Sequence, residues 1–354
     1  MKYEYSHLDW RELANRLSRE GRMDELFREL MLAASGDVEQ ALQWLDQAST
    51  RFRQQLGFDP DEFKQRLEEQ GFIEGQPGDR KLSKKGEQAL RASALESVFG
   101  KLKRGQAGEH RIANAGTGGE MTGELRPWQP GDESSDIAYR ESLLGAMRMR
   151  RGLSEDDLHV AEREANTSAA TVLLLDISHS MTLYGEDRIT PAKRVALALA
   201  ELQRRKYPRD SFHVLLFGDD VREVQVADLP YVSNGPYHTN TCEALRRAAE
   251  ILTKKHQPNK RVVMITDGKP TALFTKQGLM INTVGLDPEI VTATLNQAAR
   301  YPRLKLDLTV FMVASDPYLE RFVARLVEVS RGRAFRASLG DLGDQVLKRI
   351  YGRR

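Results

Sequence analysis

Acidic and hydroxyl side chains gather in two short segments whose composition is suited to binding a cation. The first segment, Asp176-Ile-Ser-His-Ser, has a carboxylate followed by two hydroxyls at alternate positions. The second, Thr266-Asp-Gly, supplies another carboxylate. If the segments are neighbours, two like charges face one small space, and leaving them poorly solvated would cost several kcal/mol. A divalent cation would resolve this conflict.

The donor atoms available in these segments are all oxygens, and some of them are neutral. They belong to Asp176, Ser178, Ser180 and Asp267. Such a set suits Mg²⁺ or Mn²⁺, which are hard cations that keep several waters and take few protein ligands. Zinc is disfavoured because neither Cys nor His pairs occur at ligand spacing.

The elements that must position these side chains alternate between strand and helix from about Ala169 onward. Thr171-Val-Leu-Leu-Leu-Asp is a continuous apolar run, typical of a strand buried on both faces of a parallel sheet. The pattern predicts strands over 171–176, 211–217, 221–226, 261–266, 306–314 and 334–337, and helices over 189–206, 241–256, 289–301, 317–330 and 342–351. This alternation predicts a doubly wound, mostly parallel, Rossmann-like α/β sheet.

In such a sheet, ligands bind at the carboxyl ends of the strands, where both acidic segments fall. A third contributor is needed from another loop. Thr239-Asn240 directly precedes the helix that carries Ala244 and Leu245, and Thr241 could serve the same purpose.

These pieces resemble the metal-ion-dependent adhesion site of von Willebrand factor type A (vWA) domains, and the resemblance covers about Ala169 to the C-terminus. It implies that Ser178, Ser180 and Thr239 offer hydroxyl oxygens to the metal, while Asp176 and Asp267 bind it directly or through water. It also implies that an acidic side chain of a partner protein takes the spare coordination position. His179 departs from the family, which usually has a small residue there; it either narrows access to the site or is a tolerated surface residue.

The first 99 residues are predicted to form a helical domain. A helix from Pro60, a hairpin around Gly75 to Gly78 and a helix from Ser83 have the outline of a winged-helix element. This element either binds DNA, as a transcriptional regulator would, or serves protein contact or packing. Basic residues here alternate with glutamates, which favours the second interpretation and makes nucleic acid an unexpected partner.

Residues 100–125 are rich in glycine and are predicted to be an interdomain linker. A connecting segment over 126–168 follows, before the domain at 169–354. Arg126-Pro-Trp-Gln-Pro-Gly-Asp and Ile137-Ala-Tyr resemble a segment of bacterial vWA proteins that work with MoxR-type AAA+ ATPases, including CoxE-like and magnesium-chelatase D-like proteins. The resemblance implies docking on the vWA domain or on the ATPase, whereas the simpler interpretation is an ordered turn.

Composition narrows the classes of function. The net charge of +2 provides no overall field for nucleic acid, and a single cysteine, Cys242, excludes an intramolecular disulfide and fits the cytoplasm. We find no apolar run long enough to span a membrane, and we expect neither export nor a transmembrane segment. A Mg²⁺-dependent phosphatase using Asp176 as nucleophile would need a second carboxylate at the position of Ser178. We therefore expect a protein-binding module that partners an AAA+ ATPase, and no enzyme.

Overall fold

The computed structural model describes the following residues: 22–47, 60–99, 121–129, 134, 137–148, 153–163, 168–185, 187–233, 235, 237–282, 284–314, 316–337, 342–343 and 345–346. They fall into two compact units. One joins the described residues up to 99 with those from 169 onward, and the other lies between 121 and 168.

The N-terminal region consists of helices and one small hairpin. Its elements are α1 (Arg22–Ala33), α2 (Val38–Gln47), α3 (Pro60–Glu69), β1 (Ile73–Glu74), β2 (Lys81–Leu82) and α4 (Lys84–Phe99). Strands β1 and β2 are antiparallel, with Ile73 opposite Leu82. Apolar residues at helical spacing, such as Leu26, Leu30 and Leu45, form a buried core with that hairpin. The predicted helix, hairpin and helix are therefore present in order.

In the second unit, the structure describes a small antiparallel pair of strands and one α-helix. It contains β3 (Met121–Pro127), α5 (Tyr139–Arg148) and β4 (His159–Arg163). Strand β3 pairs with β4. Because β3 begins at Met121, ordered structure starts inside the stretch that its glycine content predicted to be a linker.

The remaining elements form the α/β part of the first unit. They are β5 (Ala169–Asp176), α6 (Ile189–Lys206), β6 (Ser211–Phe217), β7 (Val221–Val224), α7 (Thr241–Thr253), β8 (Asn259–Thr266), β9 (Ala272–Thr275), β10 (Gly278–Ile281), α8 (Pro288–Ala298), β11 (Leu306–Met312), α9 (Pro317–Ser330) and β12 (Arg333–Arg336). Six strands make one sheet in the order β12-β11-β8-β5-β6-β7. Only the pairing of β6 with β7 is antiparallel within this sheet, which confirms the predicted doubly wound, mostly parallel fold.

Strand β5 lies inside the sheet, between β8 and β6, and is buried on both faces. All eight of its residues are buried. Alternate residues such as Val172 and Leu174 pack in one core with α7, α8 and α9. Because successive side chains of a strand point to opposite faces, Leu173 and Leu175 face the other side, where α6 lies.

The N-terminal helices pack against α6, so they share one unit with the sheet. Lys193 in α6 is 1% exposed, and its ammonium donates to the carbonyl oxygens of Leu32 at 2.7 Å and Val232 at 3.0 Å. Beside it, the Ser35 hydroxyl donates to the same Val232 oxygen at 3.1 Å. The turn after α1 is thereby fastened to the helix that follows the candidate site.

Two differences from the sequence prediction concern short elements. The β9–β10 hairpin was not predicted, since each strand has only four residues. The predicted helix over 342–351 lies mostly outside the described residues; the structure describes 342–343 and 345–346, which are helical. Of the helices the structure describes, none has the length and apolar character needed to cross a membrane.

Candidate metal site

The two acidic segments meet at one edge of the sheet. Strand β5 ends at Asp176 and strand β8 ends at Thr266, and these strands are direct neighbours in parallel register. Because their carboxyl ends lie side by side, the segments that follow them share one space. The condition for a shared site, that the two segments are neighbours, is therefore met.

Asp176 is fully buried and held by donors from both strands. The backbone N–H of Ser178 donates to its Oδ1 at 2.9 Å. The hydroxyl of Thr266 donates to its Oδ2 at 2.5 Å. The carboxylate is thus fixed in place with no water-facing surface.

A chain of hydroxyl contacts links the two segments. Ser180 Oγ donates to Asp267 Oδ1 at 2.7 Å, and Ser178 Oγ lies 3.1 Å from Ser180 Oγ. Because the Ser180 proton goes to Asp267, Ser178 must be the donor in the second contact. Each serine oxygen then keeps a lone pair for another electrophile.

Thr239 reaches the site from the loop before α7. Its N–H donates to Thr271 Oγ1 at 2.9 Å, and its carbonyl accepts the N–H of Thr271 at 3.0 Å, so the loop is tied to the segment that leads into β9. Asn240, the residue predicted beside it, caps α7 by accepting the Glu243 N–H at 3.1 Å. Its oxygen is therefore engaged by the helix, whereas the hydroxyl of Thr239 lies beside Gly268 at the site.

Gly268 leaves open the space on which these oxygens converge. A Cβ at this residue would lie 3.0 Å from Thr239 Oγ1, 3.2 Å from Ser180 Oγ and 3.7 Å from Asp176 Oδ2. Oxygens of two predicted segments therefore converge beside Gly268 of the third, at a point that a side chain would fill.

Burial makes both carboxylates hold protons more tightly than usual. Burial first, and the charge of Asp267 second, raise the pKa of Asp176 to about 7. Burial also raises the pKa of Asp267, against the opposing effect of hydrogen bonds from Ser180 and Arg188. A positive charge beside these two buried carboxylates would stabilise their ionised forms.

The donor geometry fits a small divalent cation. Mg²⁺ binds oxygens at about 2.0–2.1 Å in an octahedron, so two adjacent ligands lie about 3 Å apart. The two serine oxygens are 3.1 Å apart. Among the described residues, no group of three or more His, Cys, Asp or Glu side chains is placed to hold a metal, and the set found here depends on hydroxyls.

The sequence of the α/β part matches a known family. A family profile described as "Rv0959-like protein, vWA domain" matches residues 169–351. The chain belongs to this family. It is 33% identical over 299 residues to the uncharacterized protein Rv0959 of Mycobacterium tuberculosis. The aligned region covers 81% of this chain. The chain spans only 44% of that relative's length, and the figures are the same for Mb0984 of Mycobacterium bovis.

Solved structures similar to the vWA domain are more distant. The PilB minor pilin of Streptococcus sanguinis is 15% identical with a TM-score of 0.43, over 55% of this chain and 64% of that one. The SpRpn10 VWA domain is 13% identical with a TM-score of 0.39, over 50% of this chain and 95% of that one.

In this vWA domain, the structure brings together all five predicted site residues: Asp176, Ser178, Ser180, Thr239 and Asp267. That they bind a cation stays a prediction. Sequence reasoning missed Arg188, whose guanidinium lies 2.6 Å from Asp267 Oδ2. No spacing rule indicates it, because its partner Asp267 lies 79 residues away in the sequence. His179 is half-buried, and its backbone N–H donates to the carbonyl oxygen of Tyr237.

Proposed function

We propose that the chain is a non-catalytic, Mg²⁺-dependent protein-binding module of the cytoplasm. The observation that supports this best is the convergence of Thr239, Ser180 and Asp176 oxygens on the space left by Gly268. A vWA domain suggests a protein-interaction module, and the donor set supports a cation as its means of binding.

Each residue of the site has a distinct part in this proposal. Ser178, Ser180 and Thr239 present neutral oxygens, so they bind without adding charge. Asp176 and Asp267 supply the negative charge, directly or through water. When bound, the cation supplies a coordination position for a carboxylate oxygen of the partner. Affinity for an acidic partner then depends on the metal.

The partner that we propose is a MoxR-type AAA+ ATPase, with the chain acting as adaptor or substrate-recognition subunit in chaperone-like or cofactor-insertion maturation. Support comes from the resemblance of the segment starting at Arg126. In the unit that contains this segment, α5 exposes Tyr139, Leu143 and Met147, which are spaced four residues apart and share one face. An exposed apolar stripe of this kind suits contact with another protein.

DNA binding by the winged-helix outline has less support. Two of its basic residues are engaged by acidic neighbours: Lys64 Nζ lies 3.0 Å from Asp46, and Arg80 lies 2.9 Å from Glu68. Charges paired in this way leave little for phosphates.

Capture experiments test the proposal. The purified chain, its Asp267→Ala variant and an Asp307→Ala control are used as bait in lysate with Mg²⁺ or with EDTA. We expect an AAA+ ATPase to be retained by the wild type and the control only with Mg²⁺, and to be lost with Asp267→Ala. Equal recovery of the same proteins in EDTA would refute metal-dependent binding.

A small change at Gly268 is expected to weaken cation binding. In Gly268→Ala, the new methyl carbon would sit 3.0 Å from Thr239 Oγ1 and 3.2 Å from Ser180 Oγ, closer than ordinary contact. The oxygens must shift by a few tenths of an ångström, and we expect about a tenfold loss of Mg²⁺ affinity by calorimetry. Gly145→Ala, where a Cβ meets nothing within 4 Å, is the control. Unchanged affinity in Gly268→Ala would place the cation elsewhere.

Stabilisation by Mg²⁺ is expected to depend on pH. Because the pKa of Asp176 in the folded chain is raised to about 7, the folded state holds a proton that the unfolded chain releases near pH 4. The stabilisation that this bound proton gives the folded state therefore falls as pH rises from about 4 to 7. A cation replaces that proton, so the Mg²⁺-induced rise in Tm should be larger at pH 8 than at pH 6. An equal rise at both values would contradict the assignment of Asp176.

A further inference from the structure

Arg188 places a permanent positive charge against the candidate site. Its Nη1 lies 2.6 Å from Asp267 Oδ2, and the two side chains are 12% and 0% exposed. The Arg188 N–H donates to the carbonyl oxygen of Met181 at 3.0 Å, which anchors the residue at the start of α6. The contact is therefore set by the fold and not by a freely moving surface side chain.

Both oxygens of Asp267 are engaged in this arrangement. Ser180 donates to Oδ1 at 2.7 Å and Arg188 to Oδ2 at 2.6 Å. The guanidinium fixes the orientation of the carboxylate and at the same time competes for its charge. A cation entering the site meets a carboxylate that is already partly neutralised.

Charge arithmetic shows what this does to ligand preference. Asp176 and Asp267 contribute −2 when ionised and Arg188 contributes +1, so the three side chains sum to −1. Adding a divalent cation changes the sum to +1. Without Arg188, the corresponding sums would be −2 and 0. The arginine therefore gives the filled site the excess positive charge that attracts a carboxylate, while the empty site still repels one.

We propose that Arg188 is a positioning residue that couples carboxylate binding to cation binding, at the cost of weaker affinity for the cation. This inference rests on the proposed function, because it assumes that a divalent cation binds beside Asp176 and Asp267. In this inference, Arg188 makes the cation-loaded site prefer an acidic ligand over a neutral one. Its readouts are the affinity for Mn²⁺ alone and the affinity of the Mn²⁺-loaded chain for acetate.

Electron paramagnetic resonance titration of the full chain with Mn²⁺ tests the first readout. We expect Arg188→Gln to bind Mn²⁺ at least tenfold more tightly than the wild type. Arg188→Lys keeps the charge and should stay within threefold of the wild type. Arg194→Gln, a neighbouring α6 variant whose native side chain pairs with Glu29, is the control and should not change the affinity. Equal or weaker Mn²⁺ binding by Arg188→Gln would overturn the inference.

For the second readout, acetate should bind the Mn²⁺-loaded wild type more tightly than loaded Arg188→Gln, as measured by water proton relaxation. The reverse order would also overturn the inference.

The two proposals fail in different ways. If Mn²⁺ binds to the wild type and to Asp176→Asn equally, the cation is not at this site, and the proposed function and the inference both fall. If Mn²⁺ binding requires Asp176 but is the same with and without Arg188, the inference alone falls.

Discussion

The Asp176→Asn variant should lose Mg²⁺ binding by at least a hundredfold and yet unfold at a higher temperature than the wild type in EDTA. Asp176 is fully buried, and burial together with the charge of Asp267 raises its pKa to about 7. Near neutral pH, Asp176 in the folded chain is therefore partly ionised while it is buried. In the unfolded chain, the same carboxylate is solvated by water. Replacing it with a neutral amide should recover up to a few kcal/mol of unfolding free energy.

The asparagine can keep the local hydrogen bonds. Its oxygen accepts the Ser178 N–H, and its amide can donate to the Thr266 hydroxyl, which now donates to Asp176. Calorimetric titration and thermal unfolding, each with and without Mg²⁺, check the two effects, with Asp307→Asn, a part-exposed carboxylate in β11, as a matched control. A variant that loses both Mg²⁺ binding and stability in EDTA would mean that Asp176 is a structural residue only.

The second large effect is expected at Lys193. Its ammonium donates to the carbonyls of Leu32 and Val232, with Ser35 Oγ at 3.3 Å and the Pro230 oxygen at 3.4 Å. Burial lowers its pKa to about 8 against the opposing charge of Asp187, so the amine is still charged near pH 7. Lys193→Ala would leave a cavity and remove the donor from buried carbonyls. We expect a loss of about 3 kcal/mol or more in unfolding free energy.

Denaturant unfolding of two further variants separates the causes. Lys193→Met fills most of the space without a donor and should lose less stability than Lys193→Ala. Arg194→Ala removes a part-exposed pair with Glu29 and should cost less than about 1 kcal/mol. If Lys193→Ala were no less stable than Arg194→Ala, the contacts of Lys193 would not hold the N-terminal helices in place.

The sheet and the candidate site could be predicted because local sequence carries them. The uninterrupted apolar run that ends at Asp176 indicates a central strand, and the Thr-Asp-Gly segment follows another such run. The carboxyl ends of parallel strands meet at one edge, so both carboxylates could be assigned to that edge. That their two strands are direct neighbours follows only from the strand order in the structure. Helix α6, predicted over 189–206, has those same ends in the structure.

Features that depend on distant contacts could not be predicted. Lys193 has an ordinary sequence context, and its main acceptor, the Leu32 carbonyl, is 161 residues away. In the structure, the described part of residues 1–99 shares one compact unit with the vWA domain. Arg188 was missed for the same reason, because its contact with Asp267 spans 79 residues. The β9–β10 hairpin could not be predicted because strands of four residues are too short to show a clear hydrophobic periodicity.

The proposed function requires a divalent cation to bind where the oxygens of Asp176, Ser180 and Thr239 converge. Anomalous diffraction from crystals soaked in Mn²⁺ is the test of this site. We expect one strong peak within coordination distance of Ser178 Oγ and Ser180 Oγ, beside Thr239 and Asp176. Soaked crystals with no peak at that position, or with manganese bound only elsewhere on the vWA domain, would contradict it.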